Sequence, residues 1–122
     1  MADLFLDTLP CNAHTTADEA LWAGLPVLTC IGESFSGRVA ASILQAIRLP
    51  ELITHSQADY ESLAVELATN RARLEQIRKT LAGNRLTAPL FDTPLITRRI
   101  EAAYGAMIER YDAGLAPDHI EF

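Results

Sequence analysis

The sequence has few cysteines, a shortage of basic charge and no long apolar run. Only Cys11 and Cys30 occur in 122 residues, and they form no Cys-x-x-Cys pair. That argues against a disulfide-stapled scaffold and makes free thiols in a reducing compartment the expectation. Cys11-x-x-His14 resembles half of a metal site, but a zinc centre needs three or four ligands and no second half follows, so no metal is expected. No stretch approaches the ~20 apolar residues of a membrane-spanning helix. Met1-Ala2-Asp3-Leu4 lacks the basic n-region of a signal peptide. Ten Lys and Arg stand against sixteen Asp and Glu, a net charge of −6. Such a chain is repelled by a phosphate backbone unless a local basic patch overrides it. Neither nucleic acid nor membrane is therefore an expected partner, and the expected location is cytoplasmic.

What is present is the composition of a folded domain, with 49% hydrophobic and 21% charged residues. A chain of this length buries roughly two-thirds of its unfolded surface, enough for one core. Leu4-Phe5-Leu6 predicts a short buried strand, and Val27-Leu28-Thr29-Cys30 a second. Continuous apolar strands suit a parallel sheet covered on both faces. Between them, Thr8–His14 reads as a loop and Thr16-Ala17-Asp18-Glu19 as a capping box opening a short helix. Gly24 and Pro26 stop that helix. After the loop Ile31–Gly37, a helix is expected over Arg38–Ile47, then a very short strand at Leu52-Ile53. Ser56 caps a helix with a Tyr60, Leu63, Ala64, Leu67 stripe. From Asn70 another helix turns Leu74, Ile77 and Leu81 inward and Arg71, Arg73, Arg78 and Lys79 outward. Thr93-Pro94 starts a last one, with Thr93 as N-cap and a stripe of Ile96, Ile100, Ala103, Tyr104, Met107 and Tyr111. The tail from Leu115 is expected to be irregular. The order strand, helix, strand, helix, strand, helices is that of an α/β fold with about three parallel strands and a helical C-terminal part.

In open parallel sheets, ligands bind beyond the carboxyl ends of the strands. His14-Thr15-Thr16 falls there, immediately before a helix. Unpaired N–H groups and the positive end of the helix dipole suit phosphate oxygens. The Thr hydroxyls add donors, His14 can donate to a phosphate oxygen, and Glu19 one turn on can accept from ribose hydroxyls. The same residues also fit plain helix capping, and the residues alone leave both readings open. The loop Gly32-Glu33-Ser34-Phe35-Ser36-Gly37-Arg38 is a second candidate. It has no phosphate-loop pattern and reads more readily as an ordinary strand-to-helix loop. His55 and His119 have no partners in sequence and receive no role.

Taken in order, Asp3-Leu4-Phe5-Leu6-Asp7-Thr8, Asn12-Ala13-His14-Thr15-Thr16, Leu21-Trp22-Ala23-Gly24-Leu25-Pro26-Val27, Gly32-Glu33-Ser34-Phe35 and Arg38-Val39-Ala40-Ala41-Ser42 form a series. So do the later segments Leu49–Ile53, Ala88–Thr93 and Ala116–Ile120. The series resembles the C-terminal part of the catalytic region of the O-linked N-acetylglucosamine transferase family, glycosyltransferase family 41, in its bacterial branch linked to TPR repeats. The resemblance implies a GT-B architecture. This chain would form the C-terminal half of a Rossmann-like lobe as a single domain, 1–122, and the lobe would hold a UDP-sugar without a catalytic metal or other cofactor. It implies that His14, Thr15 and Thr16 contact the diphosphate and that Glu19 stands where the family usually has Asp at the ribose, one methylene longer. Asp18 is the weaker ribose candidate, being turned about 100° round the helix.

The resemblance further implies that the family's remaining phosphate and uracil ligands, its general base and its acceptor-presenting repeats belong to segments upstream of Met1. The isolated chain is therefore expected to be inactive in transfer from UDP-GlcNAc to a protein Ser or Thr, with no catalytic residue of its own. A homodimer is expected through the edge of the first strand or the adjoining lobe surface. The alternatives are a non-catalytic nucleotide-binding or oligomerisation module and, last, a helical DNA-binding domain, which the acidic charge disfavours.

Overall fold

Three short strands, β1 (Phe5–Leu6), β2 (Val27–Cys30) and β3 (Ile53–Thr54), form one parallel sheet in the order β1-β2-β3. The architecture comes from a computed structural model that describes residues 2–120. Phe5 lies opposite Val27 and Leu6 opposite Leu28, while Thr29 faces Ile53 and Cys30 faces Thr54. Helices α1 (Thr15–Trp22), α2 (Val39–Ala46), α3 (Gln57–Thr69), α4 (Arg71–Asn84) and α5 (Thr93–Asp112) complete the order. The chain divides into two compact units, Met1–Phe91 and Asp92–Phe122.

In the first unit β2 is the centre. All four of its residues are buried, as an apolar strand between two neighbours must be. Around it Ala17 and Leu21 of α1, Leu44 of α2, Leu67 of α3, and Ile77 and Leu81 of α4 form the core, with Val27, Ile47, Leu49 and Leu52. Each fully buried aliphatic side chain contributes about 1.5–3 kcal/mol relative to exposure. The expected α/β class with three parallel strands is therefore observed.

Some local expectations are corrected. The first strand is not buried: Leu6 is 52% exposed because β1 is an edge with only one strand beside it. The third strand follows a 3-10 turn at Pro50–Leu52, which moves it to Ile53–Thr54. Helix α1 begins two residues earlier than a capping box with Thr16 as N-cap requires. His14 is the N-cap, no side chain caps the terminus, and the His14 carbonyl accepts from the N–H groups of Ala17 and Asp18. Gly24 does end α1, at a φ of +85° that favours glycine.

Ser56 caps α3 as expected, and Asn70, at the expected start of α4, proves to be its cap; each accepts through its side chain from the N–H three residues on. The outward basic side chains of α4 are solvated or paired at the surface: Arg73 with Glu66, and Arg78 with Asp3 at 3.1 Å.

In the second unit the N-cap is Asp92 rather than Thr93. Its carboxylate accepts from Leu95 N at 2.9 Å, leaving Thr93 and Pro94 inside the first turn. The α5 stripe is correctly spaced, but no residue of α5 is buried. Residues 115–120 are irregular, and the last two residues of the expected tail lie outside the described residues.

Candidate functional site at the carboxyl ends of β1 and β2

Asp7 follows the last residue of β1 and is buried. One carboxylate oxygen accepts from Ala13 N at 2.6 Å and the other from Thr29 Oγ1 of β2 at 2.6 Å. Thr29 in turn offers its carbonyl to Thr54 Oγ1 of β3, at 2.9 Å. A buried carboxylate must be supplied with donors. Here the supply ties the loop after β1 to the middle of the sheet. Thr8–Ala13 is thereby folded back, and the chain is delivered to the N-terminus of α1 at His14.

His14, Thr15, Thr16 and Glu19 are all exposed. Among the described residues, the N–H groups of Thr15 and Thr16 have no protein partner, and no side chain caps them. These are the orphan donors of a helix start, with the dipole's positive end behind them. Glu19 stands one turn further along the same helix. Asp18 is partly covered, and its carboxyl is pushed above the ordinary carboxylate range, first by burial and then by the charge of Glu19. All four residues named for this site thus sit on one turn and the helix it opens. The turn lies open at the surface.

The two candidate loops, separate in sequence, are joined in space. Asn12 N donates to Ser36 O at 2.9 Å, and Gly32 N donates to Gly37 O at 2.7 Å across the second loop. The glycines make this closeness possible. A Cβ on Gly32 would stand 3.0 Å from Leu9 Cδ2, and one on Gly37 would stand 3.2 Å from Gly32 Cα and 3.3 Å from Pro10 O. Phe35 rises from this loop 83% exposed, with its ring perpendicular to the His14 imidazole and 6.4 Å away between centroids.

Asp7, Thr8, Leu9, Cys30, Gln57 and Tyr60 line a small hollow of about 180 Å³ at the same end of the sheet. The Tyr60 phenol is pushed above its ordinary range by burial, then by Asp7 and Cys30. Cys11 is exposed, Cys30 is buried, and both are free thiols. Among the described residues no group of three His, Cys, Asp or Glu side chains is disposed to hold a metal ion, and no helix is long and apolar enough to cross a membrane.

Sequence reasoning missed Asp7, Thr29 and Phe35. Asp7 carried a readable signal, a carboxylate directly after an apolar strand where sites form. Thr29 carried one too, a hydroxyl within a buried strand. Phe35 carried none, because its neighbour His14 is distant in sequence.

The model of the family described as Glycosyl transferase family 41 matches residues 1–100. The chain is 40% identical over 122 residues to an Arabidopsis thaliana protein named "Probable UDP-N-acetylglucosamine--peptide N-acetylglucosaminyltransferase SEC", which covers 99% of this chain and 12% of the relative. It is 39% identical over 120 residues to a UDP-N-acetylglucosamine–peptide N-acetylglucosaminyltransferase of Caenorhabditis elegans, covering 98% of this chain and 10% of the relative. Among solved structures, a mutant O-GlcNAc transferase from Thermobaculum terrenum matches with a TM-score of 0.81 and 35% identity, over 86% of this chain and 20% of that one. The chain thus spans 12% and 10% of the lengths of these two curated relatives. With the family model matching residues 1–100 and the structural match covering 86% of the chain, the chain belongs to glycosyl transferase family 41, a family of sugar-transferring enzymes.

Proposed function

We propose that this chain is the C-terminal, nucleotide-sugar-binding part of a transferase that moves N-acetylglucosamine from UDP-GlcNAc to a protein Ser or Thr. The observation that carries the reading is the pair of unpartnered amides at Thr15 and Thr16, opening α1 beyond the carboxyl end of β1. Two N–H donors, two hydroxyls and an imidazole belong to three consecutive exposed residues, on a turn whose approach a buried carboxylate ties to the sheet. That set suits the two phosphates of a nucleoside diphosphate. Glu19 supplies an acceptor one turn away for ribose hydroxyls. During transfer, negative charge grows on the departing diphosphate. Donors already aimed at it lower the barrier without reorganisation.

No residue of this chain is given the part of general base, and the acceptor protein has no seat in the reading. The isolated chain is therefore expected to bind the diphosphate weakly and to transfer no sugar. Calorimetric titration with UDP, beside a transfer assay with UDP-GlcNAc and an acceptor peptide, tests both halves. Weak UDP binding lost in Thr15→Pro, which removes an amide at the first helical position, where proline is tolerated, together with no transfer, supports the reading. Transfer by the chain alone contradicts it.

A homodimer is part of the same proposal. The half-exposed edge at Leu6 borders a hollow of about 480 Å³ lined with Leu4, Leu67, Leu74, Arg71 and Arg78. An apolar edge with free backbone groups favours association. Sedimentation as a monomer at tens of micromolar would count against it.

A further inference from the structure

We propose that Phe35 is a positioning residue for the diphosphate-binding turn, holding the His14 imidazole in the orientation from which it donates to a phosphate oxygen. The inference rests on the reading of His14–Thr16 given above.

Burial does not account for the place of Phe35, since its side chain is 83% exposed. What it does touch is His14, edge to face, at 6.4 Å and 89°. The contact is built in from both sides. Arg38 N donates to Phe35 O at 3.0 Å, and Gly37 N donates to Ser34 O and to Ser34 Oγ, both at 3.1 Å, so the loop carrying Phe35 is a closed turn. Asn12 N, two residues before His14, donates to Ser36 O, one residue after Phe35. The close-packed glycines Gly32 and Gly37 allow the two loops to meet at that bond.

His14 itself is exposed, and its side chain makes no hydrogen bond among the described residues. An imidazole on a free turn samples several rotamers and loses that freedom on meeting a ligand. A perpendicular aromatic neighbour selects one arrangement beforehand, because the ring quadrupoles favour edge-to-face geometry. Phe35 thus acts through His14 and touches no reacting atom. The class of ligand that feels its loss is a diphosphate.

The test uses the full chain, inorganic pyrophosphate as probe, and NMR of the Thr15 and Thr16 amides and the His14 ring protons. Because Phe35 is exposed, Phe35→Leu leaves the fold intact, as unchanged α1 and β2 amide shifts would confirm. The expected result is a pyrophosphate affinity about threefold to tenfold weaker in Phe35→Leu, the range that an aromatic pair is worth. The ring-current displacement of the His14 protons should vanish with it. Phe35→Tyr should restore both, with an affinity within about twofold of the original chain, since the ring and its geometry are retained. Equal affinity in Phe35→Leu, or no rescue by Phe35→Tyr, overturns the proposal. If pyrophosphate leaves the original chain's Thr15 and Thr16 amides unmoved while the His14 ring shift is present, the diphosphate reading itself has failed. The aromatic contact is then packing alone, and this inference falls with it.

Discussion

Helices α4 and α5 each carry a stripe of aliphatic side chains at helical spacing, yet they end in different environments. In α4, Ile77 is 5% exposed and Leu81 fully buried, whereas in α5 Ile96, Ile100 and Met107 are 42%, 48% and 52% exposed. Both helices start on a side-chain cap, Asn70 accepting from Arg73 N and Asp92 from Leu95 N. Capping and periodicity therefore establish that a helix forms. Only a tertiary partner decides whether its stripe contributes to stability. The first unit supplies such partners around β2, and α5 has no buried residue.

The widest gap should appear in core variants. Leu44→Ala removes a fully buried side chain from the first unit and should cost about 2–5 kcal/mol. Ile100→Ala, on the exposed stripe of α5, should change stability by less than about 0.5 kcal/mol. Urea unfolding of the two variants decides the matter, and comparable losses would break the contrast.

A polar substitution sharpens it next. Asp7→Ala leaves Ala13 N–H and the Thr29 hydroxyl without their acceptor, which should cost about 2–4 kcal/mol. It should also speed hydrogen exchange at Ala13 while leaving exchange in α5 unchanged. A loss confined to stability, with that amide still protected, would mean that the loop is held by something else.

The smallest effect is one of pH. An upward-shifted Asp18 means that the folded chain holds its proton more tightly than the unfolded one. Stability then falls as pH rises from the unfolded value of about 4 through the raised folded value, and is level above it. Asp18→Asn should flatten that segment of the urea midpoint against pH and leave the region below it unchanged. An opposite slope would mean that the helix dipole outweighs burial at this position.

The parts of the fold written in local pattern were legible beforehand. Val27–Cys30 could be read as a central strand because an unbroken apolar run has no wet face to offer. Ser56 could be read as a cap because its oxygen need reach only three residues, and the start of α4 near Asn70 could be read from the stripe that follows it. The exposure of Leu6 could not be read, since an edge is defined by which strand is not beside it. The capping box at Thr16 misled by two residues, because the His14 carbonyl takes the first helical bonds and α1 starts at Thr15. For the candidate site, the turn was legible from its place after a strand and before a helix. Its support was not: Asp7 to Thr29 spans 22 residues of sequence, and His14 meets Phe35 across a pair of loops that only two glycines let approach.

The central claim is that the opening turn of α1 receives the diphosphate of a nucleotide sugar. Amide-resolved NMR of the full chain during titration with UDP tests it most directly. The account predicts that Thr15 and Thr16 amides move first and furthest, with Glu19 following and α5 unmoved. Shifts centred elsewhere, with Thr15 and Thr16 silent, would contradict it.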